Sequence, residues 1–189
     1  FTFKDIAAAI DWSPYFWAWD LRGVYPKIFE SEKFGAQAKE IFEDGQVLLQ
    51  RIIEEKQFNP RAIFKFWPAN ATGDTVEIYE DISCSDILAQ FHFLRQQREM
   101  MQESPHYSLA DYVAPKEFGQ PDYIGGFAVT MGFEVDQFAK TFQEEGDDYS
   151  SIIIKALGDR MAEALTELLH KKARDFCGFG KEESLSLKD

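Results

Sequence analysis

Residues 61–79 read RAIFKFWPANATGDTVEIY, and this stretch decides the fold class. Over residues 61–67 Ala62, Phe64 and Phe66 alternate with Ile63, Lys65 and Trp67, the period of a strand. Residues 75–79, TVEIY, form a second strand of the same kind. Residues 68–74, PANATGD, read as the loop between them, and so short a reversal pairs the two strands antiparallel, because parallel pairing needs a long crossover.

Helical patterns lie outward on both sides. Before the hairpin, residues 31–56 place Phe34, Ala38, Ile41, Phe42, Leu48, Leu49, Ile52 and Ile53 at three- and four-residue steps, giving a long amphipathic helix that Gly45 loosens and Asn59-Pro60 ends. After it, residues 87–94, ILAQFHFL, fit either a strand or a helix running into RQQREMM, and strand followed by loop is the favoured reading. Residues 108–113 predict a helical turn closed by Ala114-Pro115. DYIGGFAVTMG, from Asp122, predicts another strand, whose Gly125 and Gly126 omit side chains where something must come close. Two helices follow, over residues 134–145 and 149–175. In the second, Ile153, Leu157, Met161, Ala164, Leu165 and Leu168 make one buried stripe. Strands in the middle with helices at both ends is the α+β pattern, not a repeating βαβ.

The outermost element is the unusual one. Residues 2–9 predict a short helix, Ser13-Pro14 reads as N-cap and first residue of a second helix through Trp19, and Gly23 and Pro26 break it. Residues 10–29, IDWSPYFWAWDLRGVYPKIF, crowd aromatics beside Asp11 and Asp20. Aromatic clusters are mostly core, so a packing plug is the commoner reading. The alternative is the floor of a site for a cationic, partly apolar ligand, with rings supplying area and carboxylates supplying charge.

Composition narrows the partners. The 189 residues, 45% hydrophobic, suffice for one domain with a buried core. A formal net charge of −13 opposes nucleic acid or an anionic membrane as main partner. No apolar run reaches the length of a membrane span. Cys84 and Cys177 lack metal-ligand spacing and read as free thiols of a cytoplasmic chain. His92, His106 and His170 show no ligand spacing either, and no nucleophile elbow or phosphate loop occurs. Acid pairs such as Asp147-Asp148 read as solvated or N-cap residues.

The ordered set DWSPYFWAWDLRGVYPKI, NPRAIFKFWPAN, DTVEIY, LRQQ, SLADYVAPK, DYIGGFAVT and DDYSSIIIKALGDRMAEALTELLH closely resembles the activation domain of cobalamin-dependent methionine synthase. The match spans nearly the whole chain. The resemblance implies a helmet-like α+β domain, not a Rossmann fold, with a twisted antiparallel sheet and helices from both chain ends packed around it. It implies part of a larger 5-methyltetrahydrofolate:homocysteine methyltransferase. Such a module binds S-adenosylmethionine and supports reductive methylation of oxidised cob(II)alamin, the cobalamin being held by a neighbouring domain of the same polypeptide. The electron comes from flavodoxin or an equivalent flavoprotein, for whose docking Arg95, Arg98 and Lys116 are candidate basic surface.

By the same resemblance, Asp11, which opens the Asp-Trp-Ser-Pro motif, contacts the methionyl end of the donor. So does Glu163, in Asp-Arg-Met-Ala-Glu-Ala. Periodicity adds that Glu163 lies roughly 140° from the centre of the buried stripe, at ~100° per residue, and is not forced into the core. No metal ligand and no covalent catalyst is implied. The family's Arg-x-x-x-Gly-Tyr motif would follow residue 189, so residues 1–189 are expected to be the N-terminal and central part of one such domain, binding the donor weakly or not at all in isolation. The competing reading is a noncatalytic interaction module with a structural aromatic cluster.

Overall fold

A computed structural model describes residues 1–98, 105–178 and 180. The expected loop after the third strand therefore falls partly outside the described residues, as does the tail 181–189. The chain divides into two compact units, Phe1–Ile63 with Ala128–Asp189, and Phe64–Phe127.

The first unit is helical. Helix α1 (Phe3–Ala8) is started by Thr2, whose hydroxyl accepts the Asp5 amide while the Asp5 carboxylate accepts the Thr2 amide, a reciprocal capping box. Helix α2 (Gly35–Glu55) ends as Lys56 turns left-handed at φ 53°, ahead of Asn59-Pro60. Helices α3 (Glu134–Glu144) and α4 (Asp148–Cys177) follow the spans read from sequence to within a few residues. The Asp147 side chain accepts the Ser150 amide as N-cap of α4, the role expected of that acid pair. The α4 stripe is buried as expected at Ile153, Leu157, Met161, Ala164 and Leu165; Leu169 is buried too, while Leu168 is only half-buried.

Ser13 does not cap a helix. Pro14–Trp19 is a 3-10 helix, and Ser13 already has helical backbone angles, so its hydroxyl cannot reach back over the first turn. It accepts the Tyr25 amide instead, at 3.1 Å. Asp20 stops the turn in the left-handed conformation at φ 56°, the helix-end role.

Most of the aromatic stretch is core. Trp12, Tyr15, Phe16, Leu21 and Ile28 are buried, and Phe42 of α2 is the ring around which Trp12, Tyr25 and Phe29 gather, with centroids 4.9, 5.4 and 5.4 Å away. The offset and edge-on arrangements are those that ring quadrupoles favour. Gly45 does not loosen α2. It makes room, since a Cβ there would collide with the Tyr15 hydroxyl, which donates to the Ile41 carbonyl at 3.0 Å. Burial pushes the ionisation of that hydroxyl upward.

The second unit carries most of a four-stranded sheet of order β3-β2-β1-β4, with β1 (Arg61–Thr72), β2 (Thr75–Tyr79), β3 (Ile87–His92) and β4 (Asp122–Thr130). The ambiguous 87–94 stretch is thus strand, as favoured. Residues 68–72 are not loop: β1 runs through Pro68 to Thr72, and Gly73-Asp74 alone turns the chain, with Thr72 opposite Thr75. The turn requires glycine, because residue 73 sits at φ 61°. The polar residues that suggested a loop have distant partners. The Asn70 amide donates to the carbonyls of Ala114 and Gln120, and the Ala71 amide donates to Ala114. Gly125 and Gly126 face the rings of Phe66 and Trp67, which a Cβ at either position would approach to 3.0 Å.

Arg95 and Lys116 are not free basic surface. Arg95 grips both oxygens of Asp111 at 2.6 and 2.8 Å and Asp74 at 2.8 Å, which raises its own ionisation and lowers that of Asp111. Lys116 pairs with the buried Glu77 at 2.6 Å. Each of these two cations answers carboxylates of its own unit.

Candidate functional site

A groove of about 740 Å³ opens on the helical unit, between the end of α1, residues 10–13, residues 24–25 and one face of α4. Asp11 lies on one wall and Glu163 on the other, so the two carboxylates singled out from the sequence meet at one site although they are far apart in the chain. Glu167 joins them. It follows Glu163 by one helical turn, the i,i+4 spacing that shares a face. Sequence reasoning passed over it, although that spacing was the available signal.

Each wall is built by local chemistry. Burial of Ile10 and Trp12 to either side of Asp11 leaves the Asp11 side chain exposed. Its Oδ1 accepts the Ser13 amide at 2.9 Å, an Asx turn that holds the carboxylate at the rim. The Ser13–Tyr25 hydrogen bond then fastens the second strip of the same wall, bringing Val24 and Tyr25 into the lining. Opposite, Ala164 and Leu165 fix the rotation of α4 in the core, which turns Glu163 and Glu167 outward. Glu163 forms an ion pair with Arg160 one turn earlier, and its side chain is half-exposed.

The lining therefore combines carboxylates with the apolar surface of Ala8, Ala9, Ile10, Val24 and Tyr25. Chemically it can read a positive charge carried on a partly apolar molecule. A smaller concavity of about 400 Å³, sharing Val24, is lined by Trp17, Asp20, Arg22 and Gly23. Asp20 thus lies outside the groove of Asp11.

The histidines are occupied or isolated. His92 shares a hydrogen bond with Thr75 at 2.8 Å, His106 with the Gln96 carbonyl at 2.8 Å, and His170 is exposed on α4. Among the described residues no cluster of histidine, cysteine and acid could hold a metal ion. Both cysteines are free. No helix among the described residues is long and apolar enough to cross a membrane.

Comparison with known proteins gives two findings. The family described as "Vitamin B12 dependent methionine synthase, activation domain" matches residues 2–189. A crystal structure of the MetH reactivation domain bound to AdoHcy superposes with a TM-score of 0.90 at 42% sequence identity. That alignment covers 100% of this chain and 58% of the other, so the present chain spans somewhat over half the length of the solved one. The two share the mixed helix-and-strand fold with its open antiparallel sheet.

Proposed function

This chain belongs to the activation-domain family of vitamin B12 dependent methionine synthase, and from that membership we propose that its groove binds the methionyl end of S-adenosylmethionine, with Asp11 and Glu163 as charged contacts. The single observation that carries the reading is the convergence of those two carboxylates on one groove. The 42% identical relative bound to AdoHcy, the demethylated form of that donor, supports the ligand class.

The donor presents an α-ammonium and a sulfonium on a short apolar chain. Asp11 and Glu163 answer the positive groups, and Ile10, Val24 and Tyr25 line the groove where the methylene chain would lie. In the full process cobalamin would be held by a neighbouring domain of the same polypeptide, and flavodoxin or an equivalent flavoprotein would supply the electron. Cobalamin supplies the reducible metal that accepts the methyl group. The residues described here bind and orient the donor; none serves as a covalent catalyst. The chain acts in this reading within the activation domain of a cytoplasmic methyltransferase.

The test is calorimetric titration of S-adenosylmethionine into the intact natural polypeptide and its Asp11→Asn and Glu163→Gln variants. Each charge-assisted contact is worth about 1.5 to 3 kcal/mol, so each variant is expected to bind at least about tenfold more weakly. Reductive reactivation should demand correspondingly more donor. Unchanged affinity in both variants removes these residues from the site.

A further inference from the structure

We propose that Glu167 makes the groove select the cationic methyl donor over its demethylated product, an inference that rests on the donor-binding reading above. Three carboxylates face the groove, and the structure treats them differently. Asp11 holds the Ser13 amide. Glu163 is paired with Arg160, and a carboxylate with its own guanidinium presents less net charge to a third group than one without. Glu167 has no hydrogen-bond or ion-pair partner among the described residues, and it stands one turn from Glu163 on the same face of α4.

The chemistry of the ligand pair makes that difference matter. S-adenosylmethionine and S-adenosylhomocysteine share the α-ammonium, the α-carboxylate and the adenosine, so contacts to those parts cancel when the two are compared. They differ at sulfur alone, a sulfonium in the donor and a thioether in the product. When the methyl group leaves as CH3+ for the reduced cobalamin acceptor, both electrons of the broken bond stay on sulfur and the ligand loses one positive charge. A carboxylate with no cation of its own senses that loss in full, whereas a carboxylate already in an ion pair senses it weakly. Ala164, Ala8 and Ala9, which line the same groove, bring no cation to it. The negative charge that attracts the donor thus ceases to hold the product.

Calorimetric titration of both ligands into the intact natural polypeptide tests this, with Glu167→Gln and Glu167→Lys as a charge series. For one unit charge a few ångströms away in water-like surroundings, Glu167→Gln is expected to weaken donor binding about three- to fivefold. Product affinity should stay nearly constant. Glu167→Lys should reduce the donor-to-product ratio further, and added salt should reduce the ratio of the wild type more than that of Glu167→Gln. Glu167 is exposed, so matching thermal midpoints will show that the fold is intact. If wild type binds both ligands and neither variant alters the ratio, the role of Glu167 is overturned while the donor-binding reading stands. If wild type binds neither ligand, that reading fails and this one with it.

Discussion

Tyr15 and Gly45 show how one residue pair joins two segments of the helical unit. The Ile41 carbonyl lies in the interior of α2, where the helix ladder already engages it, and it accepts a further hydrogen bond from the Tyr15 hydroxyl. That approach is open only because residue 45 carries no side chain. Glycine in a helix interior costs about 1 kcal/mol against alanine, so propensity alone favours Gly45→Ala. Overpacking costs about 1 to 3 kcal/mol, and the displaced hydroxyl loses a hydrogen bond worth about 1 kcal/mol. Gly45→Ala is therefore expected to destabilise the protein by about 1 to 3 kcal/mol in urea unfolding. Added to Tyr15→Phe it should cost less than it does alone, since part of the clash is already gone, and strictly additive losses would refute the coupling. Ser13 teaches a related lesson. Its position before proline suggested a cap, but its hydroxyl serves Tyr25 across the turn, a partner that no local pattern announces.

Strand β2 is the element whose chemistry departs most from its sequence pattern. The alternation of TVEIY suggests one apolar face and one wet face, yet Val76, Glu77, Ile78 and Tyr79 are all buried. The carboxylate of Glu77 persists there because Lys116, Tyr79 and Gln90 all donate to it, at 2.6, 2.9 and 3.3 Å. The Lys116 contact first, then the Tyr79 hydroxyl, holds its ionisation below the ordinary 4.5. A carboxylate depressed on folding stabilises the fold above its unfolded value, and the contribution fades as pH falls through the folded one. Lys116, raised by Glu77 above the ordinary 10.5, contributes below that value and loses its contribution as pH rises past it. Lys116→Met should accordingly destabilise the protein at pH 7, and its deficit against wild type should narrow as pH falls below 4.5. Urea midpoints recorded from pH 7 to about 3 decide this; a constant deficit would mean that the pair contributes nothing electrostatic. The neighbouring strand β1 shows why residues 68–72 misled. A run rich in proline, asparagine and threonine has the composition of a loop, and only the distant carbonyls of Ala114 and Gln120 reveal why Asn70 is content in a strand.

Across the whole molecule the apolar core is unevenly shared. One large cluster, running from Ile6 to Leu165, fills the helical unit, while the sheet unit has a small cluster of Ala69, Val76 and Ala110. Edge strand β3 is exposed along almost its whole length. Local opening needs little free energy where few apolar contacts are broken, so amides of β3 are expected to exchange with deuterium on the order of tenfold or more faster than those of α4. Equal protection in the two would overturn that ranking. The site belongs to the well-packed unit, which suits a groove whose carboxylates must keep their spacing.

The sequence by itself determined what depends on neighbours near in the chain. Helical stripes, strand alternation, the capping acid of α4 and the close approach at Gly125-Gly126 follow from spacing, because a side chain three or four places away is a fixed neighbour on a helix. Asp11 and Glu163 are singled out by an ordered set of motifs, not by local physics, since each alone is an ordinary exposed acid. Only the tertiary structure decided that they share one groove with Glu167, that Arg160 partly neutralises Glu163, and that Arg95 and Lys116 serve internal carboxylates. The reason is common to all of these. The effect of a charge is set by what lies within a few ångströms of it, and for residues far apart in the chain packing alone supplies that distance.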